Sequence, residues 1–546
     1  MRGKTRAMVV AGLSVTTLAL ASCGGGGGQS SSGGTGGAGG SDANAANIRG
    51  CNPQNPLIPS NTTETCGGNV LDAITAKLVH YNSDTAAPEM DIAQSIETKD
   101  NQNFTVKLKK GYKFHDGTEV KADNFIKAWN FAAYGPNAQT SGYFMEPIEG
   151  YADMQSPADD AKAAPKAKTL TGLKKVNDYE FTIKTTEKVS NLPVRLGYSA
   201  FAPLPDSFDP KTFGEHPIGA GPFKFDSWTK NQEIKLSKFA DYAGTNKPKL
   251  DNLTFKIYQD VEAAYKDVMA NKLDVTDEIP TSALIDDKYK SDLPERNAEK
   301  AEGVIQTITF APVKVDPTME NPKLRQAISM AIDRDTIIKQ IFNGTRQPAT
   351  GWVSPVVDGY KAGACGEFCT FDAAKAKAKL AEAGGFNGRL TLAYNGDAAH
   401  KDWVDAVCNS IKNTLSVDCV GAPVVDFKTF RTQVHDRKVK GMFRTGWQMD
   451  YPSIENFLTP IFKTGASSND GDYSNPAFDK KLVEAAAAPD AAQSNKLYQD
   501  AEAMLAADMP AIPTWYGKRA VGWSDNVTDV KITAFGTIDT SALAKK

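Results

Sequence analysis

Apolar residues recur along this chain at two spacings, and the spacing changes with position. Between residues 103 and 120, Phe104, Val106 and Leu108 alternate with polar neighbours, which predicts a strand with one buried face. Asp116-Gly117 then separates two strand-like runs as a hairpin turn does. The next stretch, "ADNFIKAWNFAAY", places Phe125, Trp129 and Ala133 on one face of an amphipathic helix. Residues 179–185 and 253–260 alternate again as strands, and 261–275 reads as a helix returning to extended chain. Residues 216–228 are punctuated by Gly and Pro before turning strand-like. Residues 151–175, rich in Ala, Lys, Asp and Pro, read as a surface excursion.

From about Gly303 the helical spacing dominates. Residues 321–344 form a strong helical region, capped by Asn321, started by Pro322 and stopped at Gly344. Leu324, Ala327, Ile328, Ala331 and Ile332 make its buried stripe. A helix capped by Asp372 and ended by Gly384-Gly385 follows. Then come a strand at 389–395, a helix at 401–415 and a final helix at 491–508 before strand-like chain. Strands alternating with helices predict α/β architecture. At 546 residues the chain is too long for one core, so two or three domains are expected.

The first 43 residues follow neither pattern. Arg2, Lys4 and Arg6 precede an apolar run, Met8 to Ala21, that is short of the roughly 20 residues needed to span a bilayer. It ends in Leu20-Ala21-Ser22-Cys23, where small residues before a Cys look like a bacterial lipoprotein signal. Residues 1–22 are therefore expected to be a signal peptide and Cys23 to carry lipid. A Gly/Ser-rich tract, residues 24–41, follows, and such a tract behaves as a coil with a reach of roughly 25 Å. Residues 23–43 thus read as a lipidated tether on the extracytoplasmic face of the cell membrane. Ordered chain is expected from about Asn44.

Composition narrows the function by exclusion. The formal net charge of −3 becomes −6 once Arg2, Lys4 and Arg6 are removed, which argues against nucleic acid as a partner. Of the 7 Cys, those other than Cys23 fall into three close pairs, Cys51 with Cys66, Cys365 with Cys369, and Cys408 with Cys419. An even number in an oxidising compartment reads as local disulfides, and no His flanks the tight 365/369 pair as a zinc site would require. The 5 His are scattered, and no phosphate loop or nucleophile elbow occurs. His115-Asp116 resembles a catalytic pair but lies at the hairpin turn. No catalytic residue, metal or cofactor is expected.

One stretch raises a chemical question. In "GWQMDYP", Asp450 sits between Trp447, Met449 and Tyr451, and an enclosed carboxylate is costly without a cation or several donors. Either the acid caps a turn before Pro452 or pairs with Arg444, or a ligand supplies its partner.

The ordered motifs "LKKGYKFHDGTEVKADNFIKAWN", "IGAGPFKFDSW", "NPKLRQAISMAIDRDTIIKQIFNG", "FDAAKAKAKLAEAG" and "GWQMDYPSIENFL" resemble the family 5 solute-binding proteins of ABC importers. The likeness covers roughly residues 70–535 and implies a two-lobed, periplasmic-binding-protein-like α/β fold with a hinge and an inserted domain. Lobe I would comprise 44–86, 205–302 and 508–546, the inserted domain 87–204, and lobe II 303–507. The resemblance implies a monomeric receptor, not an enzyme, that binds an oligopeptide or dipeptide between its lobes and passes it to the permease subunits of an ABC importer. In the family's peptide receptors the Asp of this motif meets the peptide α-ammonium, which assigns that role to Asp450, with Trp447, Met449 and Tyr451 lining the site. The same scaffold serves receptors for nickel chelates, haem, sugars and other small solutes, so a non-peptide ligand is the alternative.

Overall fold

A computed structural model of the protein describes residues 44–157, 163–396 and 398–546. The expected signal peptide, the lipidated Cys23 and the tether lie outside the described residues. Among the described residues no helix is long and apolar enough to cross a membrane.

The first strand, β1 (Ala45–Gly50), leads into helix α1 (Thr65–Ile74). The chain then builds a separate antiparallel sheet from β2 (Ala93–Thr98), β3 (Asn103–Leu108), β4 (Leu173–Asn177) and β5 (Glu180–Lys184), in spatial order β2-β3-β5-β4. Helix α2 (Ala122–Ala133) covers it and buries Phe125, Trp129 and Ala133, the stripe that the helical spacing predicts. Asp116-Gly117 does form a turn, with the Gly117 N–H donating to Phe114 and φ at Gly117 of +86°.

Val79–Tyr81 pairs with Pro88–Met90 and Val527–Thr528 with Ala544–Lys545 in two small sheets, and ten further strands join β1 in one eleven-stranded sheet. These are β6 (Phe223–Thr229), β7 (Glu233–Lys238), β8 (Asn252–Ile257), β9 (Val275–Thr276), β10 (Asn297–Phe310), β11 (Arg346–Pro348), β12 (Arg389–Asn395), β13 (Asp418–Val424), β14 (Met442–Gln448) and β15 (Ala511–Trp523). The order is β13-β12-β14-β10-β15-β9-β1-β8-β7-β6, with β11 on the side of β15. Helices alternate with the later strands, so the chain is a mixed α/β protein as its patterning predicts. They are α3 (Val261–Met269), α4 (Pro322–Met330), α5 (Arg334–Ile341), α6 (Ala373–Glu382), α7 (Lys401–Leu415), α8 (Phe427–His435), α9 (Ile454–Phe462), α10 (Pro476–Ala486) and α11 (Ala491–Asp508).

The helical region at 321–344 is two helices rather than one. The Asp333 side chain accepts the Thr336 N–H and so caps α5, stopping α4 before it. A competing N-cap inside an apolar repeat ends a helix that periodicity alone would continue.

Buried apolar residues gather into separate clusters. The largest lies under β10, β12, β14, α4–α7 and α9–α11, a second fills the space around β2–β5 and α2, and a third backs β1 and β6–β8. Tyr451 is the one residue of the chain beyond Tyr242 in the second cluster, so it crosses from one packing region into another. β10 and β15 run antiparallel through both halves of the large sheet, and their register shifts between Ala301 and Ile305. The expected change of lobe at 302/303 falls inside this bulge.

All three close Cys pairs are disulfides, Cys51–Cys66, Cys365–Cys369 and Cys408–Cys419. Cys408–Cys419 ties α7 to β13 across 11 residues of sequence. Closing a loop of that length stabilises by roughly 3 kcal/mol in the chain-entropy account. Replacing both residues by Ser is expected to lower the unfolding free energy by about that amount and the denaturant midpoint with it. An unchanged midpoint would contradict it.

Candidate functional site

Asp450 sits just beyond the end of β14, and two hydrogen bonds set its position. Its N–H donates to Asn456 Oδ1 at 2.9 Å, and its carboxylate accepts from Asn456 Nδ2 at 3.1 Å. Asn456 Oδ1 also accepts from Trp447 Nε1 at 3.0 Å, so one buried amide orients both ends of the motif. The preceding residue is fixed too. The Met449 N–H donates to Gly303 O at 2.8 Å, and a Cβ at position 303 would lie 2.3 Å from the Met449 sulfur. Glycine at the β10 bulge is what lets Met449 pack there.

Among the described residues no Lys, Arg or His forms an ion pair with Asp450, and Arg444 does not reach it. Arg444 Nε instead donates to Asn395 Oδ1 at 2.9 Å, and its guanidinium lies over the Phe427 and Phe430 rings at 5.2 and 5.7 Å. Burial pushes the Asp450 carboxyl up to about 7; the Asn456 hydrogen bond opposes this and the Glu455 charge adds to it. Tyr81, Tyr143 and Tyr198 all feel the Asp450 charge, which adds to burial in raising their phenols. These aromatics come from the chain before β6, so the acid is enclosed by both packing regions.

The other expected residues divide. Trp447 is partly buried against the large core and lines a cavity of about 240 Å³. Met449 and Tyr451 are only 3% and 4% exposed, which leaves little of either for a ligand in this conformation. Tyr451 OH donates to Glu455 Oε2 at 2.6 Å. Glu455 also pairs with Arg195 at 3.1 Å and accepts from Asn191 Nδ2 at 2.8 Å. Arg195 lies over the Tyr451 ring at 5.4 Å. This group joins the helical turn Leu192–Arg195 to α9 immediately beside Asp450. Its sequence signal is weak. Glu455 follows the Ser453 N-cap and reads as an ordinary first-turn acid, yet it is 2% exposed.

The backbone beside Asp450 is also open. β14 pairs with β10 over Met442–Gln448, but β12 covers its other edge only at Met442 and Phe443. Among the described residues no strand pairs with that edge over 444–448, and an unpaired edge is a template for an added strand. His115, by contrast, is held in the fold. Its Nδ1 accepts the Gly219 N–H at 3.2 Å, its Nε2 lies 3.2 Å from Gly221 O, and burial lowers it to about 4. Asp116 accepts from the Thr118 N–H in the turn at 3.0 Å.

Comparison with known proteins gives concordant results. The sequence pattern described as "Bacterial extracellular solute-binding proteins, family 5 Middle" matches residues 87–469. The chain is 25% identical over 532 residues to the oligopeptide-binding protein OppA of Bacillus subtilis, covering 94% of each. It is 28% identical over 449 residues to the periplasmic oligopeptide-binding protein OppA of Salmonella typhimurium, covering 79% of each. Among solved structures, Haemophilus influenzae OppA in complex with RPPGFSPFR superposes with a TM-score of 0.74 at 21% identity, covering 92% of this chain and 99% of that one.

An acid whose folded pKa is raised holds a proton that the unfolded chain has lost. Asp450 therefore lowers stability progressively as pH rises from about 4 to about 7 in the free protein. A cation bound at Asp450 needs the carboxylate. Were a peptide α-ammonium to bind there, its affinity would rise about tenfold per pH unit up to pH ~7 and fall again above pH ~8, where the α-ammonium itself loses its proton. Asp450→Asn is expected to flatten that profile and to weaken binding at least tenfold at pH ~8. Calorimetry across this range checks both, and an unaltered profile in the variant would overturn the assignment.

Proposed function

Because the chain belongs to the bacterial extracellular solute-binding proteins of family 5, we propose that it is the peptide receptor of an ABC importer. It binds peptides with a free N-terminus in a cleft and delivers them to a membrane permease. The observation that carries this reading is an enclosed carboxylate without a cation, at the end of an open strand edge. A peptide supplies both missing partners. Its α-ammonium meets Asp450 in a charge-assisted bond of about 1.5–3 kcal/mol. Its backbone adds to the free edge of β14 over 444–448, which gives affinity without reading side chains.

In this reading lobe I comprises residues 44–86, 205–302 and 508–546, the inserted domain 87–204, and lobe II 303–507. The lobes turn about the β10 bulge at 302–304 and the adjoining part of β15. Asp450 and the open edge belong to lobe II, and Tyr81, Tyr143 and Tyr198 approach from the other side. Closing the two sides excludes water from the ion pair, which strengthens it. The bonds of Arg195 and Asn191 to Glu455, and the Arg195 contact with the Tyr451 ring, exist only when the sides meet, so they favour the closed form. Ligand and these contacts bias one equilibrium, and the closed form is what the permease recognises. No covalent bond is made or broken. Lipid on Cys23 and the tether of residues 23–43 hold the receptor beside its permease on the extracytoplasmic face.

Thermal unfolding with two peptide pools tests the reading, one pool with free N-termini and one acetylated. A ligand at about 100 times its Kd stabilises by about 2.7 kcal/mol, which shifts the midpoint measurably. A shift with free amines alone is the expected result. No shift with either pool would overturn the peptide reading and move the ligand to another solute class.

A further inference from the structure

We propose that Asn456 makes the Asp450 carboxylate selective for an ammonium over a guanidinium, by holding one of its two oxygens and leaving the other to the ligand. This rests on the ammonium reading above and adds to it the shape of cation that the site accepts. Asn456 lies in the first turn of α9, where Ser453 caps the helix and the Asn456 N–H donates to Ser453 O at 3.0 Å. Its side chain is buried, so solvent does not compete for its bonds.

The surroundings fix which way this amide faces. Its Oδ1 accepts two N–H donors, Trp447 Nε1 at 3.0 Å and the Asp450 backbone at 2.9 Å. Turned over, the amide would set its NH2 group against both donors, so the NH2 group must face the Asp450 carboxylate. There Nδ2 donates to Asp450 Oδ2 at 3.1 Å. Among the described residues no other side chain donates to this carboxylate, which leaves Asp450 Oδ1 to a ligand.

Cation shape follows from that division. A guanidinium binds a carboxylate best through two parallel N–H bonds, one to each oxygen. With Oδ2 held by a fixed amide, the second bond of that fork competes with one already made. An ammonium is a compact point charge that one oxygen satisfies. The neighbouring groups supply no second acceptor for a fork. Tyr81, Tyr143 and Tyr198 feel the Asp450 charge as neutral phenols, and Glu455 of the same helix is paired with Arg195 at 3.1 Å. Asn456 acts on the charge as well. Its bond favours the ionised carboxyl, against the burial that pushes this group up to about 7, so removing the amide moves the midpoint further up.

The test is calorimetry at pH ~7 with a free-amine alanine pentapeptide and the same peptide carrying a guanidinium in place of its N-terminal ammonium, against the wild-type protein, Asn456→Ala and Asp450→Asn. Both peptides need the same ionised carboxyl, so the ratio of their affinities does not depend on its midpoint. One charge-assisted bond is worth roughly tenfold or more, so the wild-type protein is expected to favour the ammonium by about that factor. In Asn456→Ala the ratio is expected to fall to about threefold or less, and proton release on binding the free-amine peptide to rise above the wild-type value. Loss of affinity for both peptides by one common factor in Asn456→Ala, with proton release unchanged, would overturn the proposal by showing a structural role alone. A wild-type ratio of about threefold or less would overturn it too, and would leave the ammonium reading standing where Asp450→Asn still loses the free-amine peptide. Should Asn456→Ala fail to fold, the wild-type ratio decides together with Asn456→Ser, whose shorter side chain does not reach Oδ2. Equal binding of the free-amine peptide by Asp450→Asn and the wild-type protein, or binding of neither peptide, would overturn the ammonium reading and this proposal with it.

Discussion

The pairing of β10 with β15 is the constraint on which the other features rest. These two long strands run through both halves of the large sheet, so neither half can move without bending them. Their register shifts between Ala301 and Ile305. Bulges of this kind bend a strand and increase its local twist. Glu302 in the bulge pairs with Arg519 of β15 at 3.1 Å, and its carbonyl accepts from Ser354 at 3.0 Å, so the irregularity is held by specific bonds. Gly303 leaves room for Met449, whose N–H it binds, and Met449 in turn fixes the position of Asp450. The strand irregularity and the placement of the acid are one structural unit.

Electrostatics then separates two acids five residues apart in sequence. Glu455 is deeply buried but partnered by Arg195, Asn191 and Tyr451. Asp450 is enclosed with an amide for a partner and, among the described residues, no cation, and burial pushes its carboxyl up. A buried pair gives little net stability over an apolar substitute, but removing one member costs several kcal/mol. The first acid is therefore suited to holding two packing regions together, and the second to being completed by something that arrives from solution.

Much of the fold is legible in the sequence because its elements are strongly periodic and well capped. The strand of residues 389–395, the helix of 401–415 and the helix of 491–508 have the bounds that patterning predicts. The Cys spacing gives the disulfides because each pair is near in sequence. The break at Asp333 is hidden, since an N-cap residue inside an apolar repeat carries the same letter as an exposed acid. Of the site, Trp447 and Asp450 stand out as polar chemistry in an apolar setting. Met449 and Tyr451 share that setting but turn into cores, a choice set by the Gly303 bulge and the Arg195 contact, hundreds of residues away in sequence. The open edge of β14 is likewise invisible to periodicity, because strand order is decided by long-range pairing.

A ligand cation that completes Asp450, as proposed, must displace its proton, and proton release on binding reports that event directly. At pH ~7 a carboxyl with a midpoint near 7 is about half protonated, so a bound ammonium must expel about half a proton per site. Calorimetry of a free-amine peptide in two buffers of different ionisation enthalpy measures this number. About half a proton released by the wild-type protein and almost none by Asp450→Asn is the expected result. Binding with no proton release in the wild-type protein, or equal release in both, would contradict it.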